Sequence, residues 1–246
     1  MYNQIYLTLL TSNNNQITEY VNNELTFVEG RKNSEYKIKV NNPTNTRIKV
    51  VLSVDGLDVI SGKRADTNSQ GYVINAFESL VVDGWRINND QVRKFFFSTA
   101  KGSYNAKTGN DTNNLGVIGL MAFQEKVIHQ SYYSWNVIPN GHYLGAAGMA
   151  DSSFGSVNCS YTNGMNAVGS TTMKLAKGTT RSVGTGMGVA KESKVQTVHL
   201  NWEISPFVTM ALYYKTRKEL QALGIVVAPA KSTALPSPFA NYCKQV

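Results

Sequence analysis

The chain is poor in the residues that staple small folds or seed metal and acid–base sites. It has two cysteines, six prolines and three histidines in 246 residues. Neither Cys159 nor Cys243 lies in a CxxC pair, so a disulfide framework is excluded, although one bridge between them stays open. Two free thiols fit a chain that folds in a reducing cytoplasm. Charged residues are also scarce, at 16% against a usual share of about 25%. Asn, Ser, Thr, Gly and Tyr take their place, giving a surface of neutral hydrogen-bonding groups that suits close neighbours. No apolar stretch approaches the roughly 18 residues of a membrane-spanning helix. The opening residues, Met1 to Leu7, carry no positive segment ahead of an apolar run, so no secretory leader is expected.

What charge there is leans basic, 24 Lys and Arg against 16 Asp and Glu. A nucleic-acid surface would cluster that charge. Here the doublets Arg31-Lys32, Lys63-Arg64, Arg93-Lys94 and Arg217-Lys218 are scattered, and no basic run of five occurs. The expectation is general attraction to acidic neighbouring surfaces, with no specific nucleic acid and no membrane as partner.

Period-two alternation dominates. Ile48, Val50, Leu52 and Val54 face one way and Arg47, Lys49, Ser53 and Asp55 the other, whereas helical spacing from Ile48 lands on Asp55. Val198, Leu200, Trp202 and Ile204 repeat the pattern, as do Tyr36, Ile38 and Val40, and Met210, Leu212 and Tyr214. Such runs are half-buried antiparallel strands. Val117 to Phe123 is apolar at nearly every position and reads as a central strand covered on both faces. Turn chemistry separates the runs at Asn41-Asn42-Pro43, Asp55-Gly56, Asp83-Gly84 and Asn140-Gly141. One short helix is expected over Arg217 to Leu223, stopped by Gly224. The fold class is all-β: an antiparallel β-sandwich, jelly-roll-like, with a long polar insertion and extended terminal arms. A chain of this length should bury about 70% of its unfolded surface. The expected boundaries are 1–34 for an N-terminal arm with first strands, 35–227 for the sandwich with its insertion at about 136–188, and 228–246 for a Pro-rich C-terminal arm.

Catalytic chemistry has little to build on. His199 lies on the polar side of an expected strand, and a surface role is its plainer reading. His129 and His142 flank Gly- and Asn-rich sequence without a nucleophile motif. No His is spaced to another His or a Cys as zinc ligands are. Gly184-Thr185-Gly186-Met187-Gly188 lacks the strand and helix that make a dinucleotide loop, so a flexible turn is expected there. Asp55, Asp58 and Asp66 gather carboxylates as a hard-cation site does, but their spacing matches no calcium loop. A scattered glycosidase-like carboxylate pair would be the enzyme reading. The expectation is no enzyme, no cofactor and no metal. Tyr132, Tyr133 and Trp135 form the densest aromatic cluster, suited to a partner's pocket or to stacking on sugar. Phe239 and Tyr242 would anchor the C-terminal arm.

Several of these segments occur together in one group of proteins. Ser53-Val54-Asp55-Gly56-Leu57-Asp58-Val59-Ile60-Ser61-Gly62, then Gly71-Tyr72-Val73-Ile74, then Gly84-Trp85-Arg86, resembles a family of uncharacterised phage and prophage virion structural proteins. Phe95-Phe96-Phe97, Gly116-Val117-Ile118-Gly119, Gly184-Thr185-Gly186 and Ala211-Leu212-Tyr213-Tyr214 extend the resemblance, which covers residues 35–128 and 184–227. It implies a virion location after assembly in the host cytoplasm. The implied partners are other virion proteins, in a homo-oligomer or symmetric assembly. It implies a capsid decoration, head-associated or fibre component acting by protein–protein packing, and carries no catalytic residue. The alternative function is a carbohydrate-binding module of a tail fibre or cell-surface protein.

Overall fold

The computed structural model describes residues 5–109, 112–126 and 182–227. Thirteen strands occur among them. In chain order they are β1 (Tyr6–Thr11), β2 (Glu19–Asn22), β3 (Leu25–Glu29), β4 (Glu35–Asn41), β5 (Ile48–Val54), β6 (Leu57–Asp58) and β7 (Tyr72–Ile74). They continue with β8 (Ser79–Val82), β9 (Gly84–Arg86), β10 (Gln91–Thr99), β11 (Val117–Gln124), β12 (Val183–Glu192) and β13 (Val208–Lys215). Two short helices join them, α1 (Tyr104–Lys107) and α2 (Arg217–Ala222).

The strands form two sheets. The first runs β1-β4-β10-β12, with β8 beside β4 and β9 beside β10; the second runs β2-β3-β13-β11-β5-β6, with β7 also on β5. Every pairing is antiparallel except β3 with β13. The second sheet is therefore mixed where a purely antiparallel one was expected. Those two strands are joined through most of the chain, so no hairpin dictates their direction.

Alternation does what the pattern predicts in β4 and β5. Tyr36, Ile38 and Val40 are buried between half-buried neighbours, and Ile48, Val50, Leu52 and Val54 are buried too, flanked by half-buried Lys49 and Ser53. Val51 on the other face is also buried, so β5 is covered on both faces at its middle. The alternating side chains meet Leu9, Phe95, Phe97, Ile118 and Tyr214 in one core shared by both sheets. The ring of Phe97 stacks on Tyr36 at 4.4 Å and tilts against Tyr214 at 5.2 Å, tying the sheets together at one end. In β11, Ile118, Leu120 and Ala122 are buried; on the other face Phe123 is buried while Val117, Gly119 and Met121 are half-buried, so that face is covered less completely.

Three expectations change. First, the segment expected as an N-terminal arm with first strands supplies three strands of the sandwich itself: β1 pairs with β4 along its whole length, and β2 and β3 extend the second sheet. Asn14, Asn23 and Asn33 take positive φ, so these asparagines mark turns between the strands. Second, the stretch from Val198 to Ile204 is not a strand. Only Trp202 bridges, to Glu125, and Val198 and Ile204 are 54% and 87% exposed. Alternation with only a single bridge to a neighbour does not hold a strand. Third, Gly184 to Gly188 is no flexible turn but part of β12, so the insertion ends by residue 183. The glycine at 186 is required because a Cβ there would lie 2.3 Å from the Phe96 ring opposite it.

The expected helix forms as α2. Thr216 caps it, accepting from the Glu219 amide while Glu219 reaches back to the Thr216 amide. Leu220 is fully buried in a satellite core with Phe27, Ile225 and Val227. Leu223, expected beside it, stands partly exposed at the end of the helix.

Replacing Phe97 with Ala should remove the ring between Tyr36 and Tyr214 and lower unfolding free energy by about 3–5 kcal/mol. Urea denaturation measures this. A loss under about 1 kcal/mol would contradict the placement of Phe97 in the shared core.

Candidate functional site

Asp55 is the most unusual polar group in the described structure. With Gly56 it forms the two-residue turn of the β5–β6 hairpin, both at positive φ, as type I′ geometry requires. That turn aims the Asp55 side chain into the protein, where it is 1% exposed. One carboxylate oxygen accepts from the Gly116 amide at 2.9 Å and from the Tyr214 hydroxyl; the other accepts from the Thr185 amide at 2.7 Å. The Val117 amide adds a further donor.

The donors continue into a chain. Thr185 Oγ1 lies 2.8 Å from the Tyr214 hydroxyl and 2.7 Å from the Tyr36 hydroxyl. When Asp55 is ionised, the single Tyr214 proton is committed to it. Thr185 must then donate to Tyr214, and Tyr36 to Thr185, so every hydroxyl points the same way. Asp55 and Tyr214 belong to the second sheet, Thr185 and Tyr36 to the first. The network is a polar rivet through an apolar core.

Burial is the larger influence on the acid. Loss of water pushes the Asp55 carboxyl up from 3.8 to about 6, and the Tyr214 hydroxyl and the three amides pull against that rise. Tyr36 and Tyr214 are pushed well above 10, first by burial and then by the negative charge of Asp55. The arrangement can hold a proton and lock two sheets. Its chemistry is that of a structural switch rather than of a site open to a substrate, since Asp55, Thr185 and Tyr214 are all buried.

The neighbouring carboxylates do not join it. Asp58 is buried at the end of β6, where one oxygen accepts from the Ile60 and Ser61 amides at 3.1 and 2.6 Å and the other has no partner. Burial raises its titration point, with Asp66 adding to the rise. Asp66 instead closes its own turn, accepting from the Asn68 amide at 2.8 Å. No group of three metal-ligating side chains occurs among the described residues. His199 is exposed. Tyr132, Tyr133, Trp135, Phe239 and Tyr242 lie outside the described residues, as do His129, His142, Cys159 and Cys243.

On the outer face of the first sheet, a cavity of about 190 Å³ gathers Lys37, Lys94, Lys191, Glu35 and Asp83. These charges already satisfy one another. Asp83 sits 2.8 Å from Lys191 and 3.8 Å from Lys37, and Glu35 is 2.9 Å from Lys94. At the same end of that face as the β4–β8 pairing, Phe77 is 69% exposed and has a φ of 60°, which costs a bulky residue on the order of 1–3 kcal/mol.

No protein-family model, curated protein or solved structure matches this chain.

The Asp55 carboxyl binds its proton more tightly in the folded chain than in the unfolded one. Its contribution to stability is therefore full below pH 3.8 and is lost as pH rises through about 6. That loss is on the order of 3 kcal/mol. Asp55→Asn should flatten this part of the pH dependence in denaturant titrations across pH 4–7; an unchanged slope would contradict the assignment. Tyr214→Phe should cost about 1–3 kcal/mol at pH 7, because a buried carboxylate loses a donor.

Proposed function

We propose that this chain is a structural subunit of a bacteriophage particle, acting by packing against neighbouring subunits as a capsid decoration, head-associated or fibre component. The observation that carries the packing part of this reading is the exposure of large apolar side chains at fixed positions on the first sheet. Tyr6 is 54% exposed and Val81 42%, both on the outer face, and Phe77 stands on the turn that leads into β8. Aromatic side chains held rigidly at a surface are the usual anchors of protein interfaces. Between Tyr6 and Val81 the register places Thr8, Lys39, Asn41 and Ser79, a polar rim of the kind that surrounds such anchors.

The particle part rests on the resemblance. Its segments occupy meaningful places in the fold: β5 with its Asp55-Gly56 turn, β9, β10, the start of β11, and β12. These positions specify a scaffold, and a scaffold with a packing surface is what a repeated particle subunit needs. Symmetry then multiplies a modest contact into a stable lattice.

Quantitative mass spectrometry of purified particles tests this. The expected result is the chain present at a fixed copy number matching a symmetry element of head or tail. Its absence from mature particles, while being abundant in the infected cell, would overturn the proposal.

A further inference from the structure

β12 is the last strand of the first sheet, and β10 is its only strand neighbour among the described residues. An edge strand offers its outward amides to water or to another strand. At Thr185 that amide donates instead to the Asp55 carboxylate at 2.7 Å. A side chain from the second sheet thus stands where a further strand would.

The strand itself is weak. Gly184, Gly186 and Gly188 give it no side chain to pack at those positions. Residues 183–186 are buried, and the rest of β12 is half-buried or exposed. Four groups hold the buried part from the core side. They are the Asp55 carboxylate, the Tyr36 and Tyr214 hydroxyls on Thr185 Oγ1, and the Trp85 indole N–H, which donates to the Gly186 carbonyl at 3.3 Å. Only Asp55 among them changes charge below pH 10, since both tyrosines are pushed well above that value.

What surrounds Asp55 decides how that charge acts. The titratable groups facing it are Tyr214 from β13 and Tyr36 from β4. β11 and the residue before it bring only the Val117 and Gly116 amides, β12 only Thr185, and α1 the Asn105 side chain on the Asp55 carbonyl. No ion pair reaches Asp55 among the described residues. A carboxylate placed there without a cation gains from any motion that admits water, and the neutral acid does not. Burial outweighs the four donors and raises the carboxyl to about 6, so the closed edge binds the proton more tightly than a hydrated, opened edge. Opening therefore becomes easier as pH rises from 3.8 towards 6 and changes little above, a span worth about a hundredfold in the opening equilibrium.

We propose that Asp55 is a proton-operated latch on the free edge of the first sheet. Protonated, it keeps residues 183–186 of β12 shut against the core; ionised, it lets them open to water while the rest of the two sheets stays folded. The latch belongs to the chain itself and does not depend on the particle reading above.

Native-state amide hydrogen exchange of the full chain, followed by NMR from about pH 4 to about pH 7.5 and corrected for intrinsic exchange, tests it. The Thr185 amide should lose protection about tenfold per pH unit up to about pH 6, on the order of a hundredfold in all, and then level off. Its exchange should be nearly insensitive to low urea. Amides inside β4 and β5 should exchange far more slowly, through urea-sensitive global unfolding. Asp55→Asn should remove the pH dependence at Thr185. Tyr36→Phe, which keeps the acid, should lower Thr185 protection by about threefold to tenfold at every pH and leave the slope unchanged. The wild-type profile and Tyr36→Phe keep the test decisive however well Asp55→Asn folds. Thr185 protection equal to that of β4 and β5 overturns the proposal, because the edge then opens only with the whole. Protection that stays flat or rises with pH below about 6 also overturns it, because the closed edge then holds the carboxylate at least as well as water does.

Discussion

A carboxylate removed from water without a cation beside it must be held by neutral donors, and such donors have to be brought to it from several directions. In this protein that requirement falls on Asp55. Its acceptors are filled by the Gly116 and Thr185 amides and the Tyr214 hydroxyl, from three separate parts of the chain. Each donor is useful only when its strand is in register. A slip of one residue in β12 would turn Thr185 to the other face and leave the acid uncompensated. The interaction therefore selects one register of the two sheets more strongly than apolar packing alone, which tolerates rearrangement.

Around that group the close backbone approaches follow. Gly184 lies where a Cβ would sit 3.3 Å from the Asp55 carboxylate and 2.6 Å from Ser103. Asn105 donates to the Asp55 carbonyl at 2.8 Å, so α1 is tied to the same turn. Segments far apart in sequence meet here: the Ser53–Gly62 stretch, Gly116–Gly119, Gly184–Gly186 and Ala211–Tyr214. Their common feature is service to one buried network.

The strands that read clearly in the sequence are those whose side chains alternate and whose neighbours alternate too, as β4 and β5 do. β12 was hidden because four of its ten residues are not apolar anchors but glycine or threonine, and glycine shows no face. The stretch through Val198 and Ile204 misled for the opposite reason: it alternates, yet it meets the end of β11 at a single bridge and is otherwise exposed. At the site, the Asp55-Gly56 turn was legible from the dipeptide itself. Its role was not, since its partners Thr185 and Tyr214 lie 130 and 159 residues away. Phe77 gave no signal at all, because a backbone angle is not written in residue type.

The parallel pairing of β3 with β13 joins the beginning of the described chain to its end. A polypeptide leaving the ribosome has Phe27 and Val28 available almost at once, but the strand they require is made nearly two hundred residues later. Until then the second sheet ends in an unpaired edge beside β3, and Asp55 lacks both Thr185 and Tyr214. Closure of this sandwich therefore waits on pairing of high contact order, and until it occurs the apolar faces of Phe27 and Val28 have no strand to cover them.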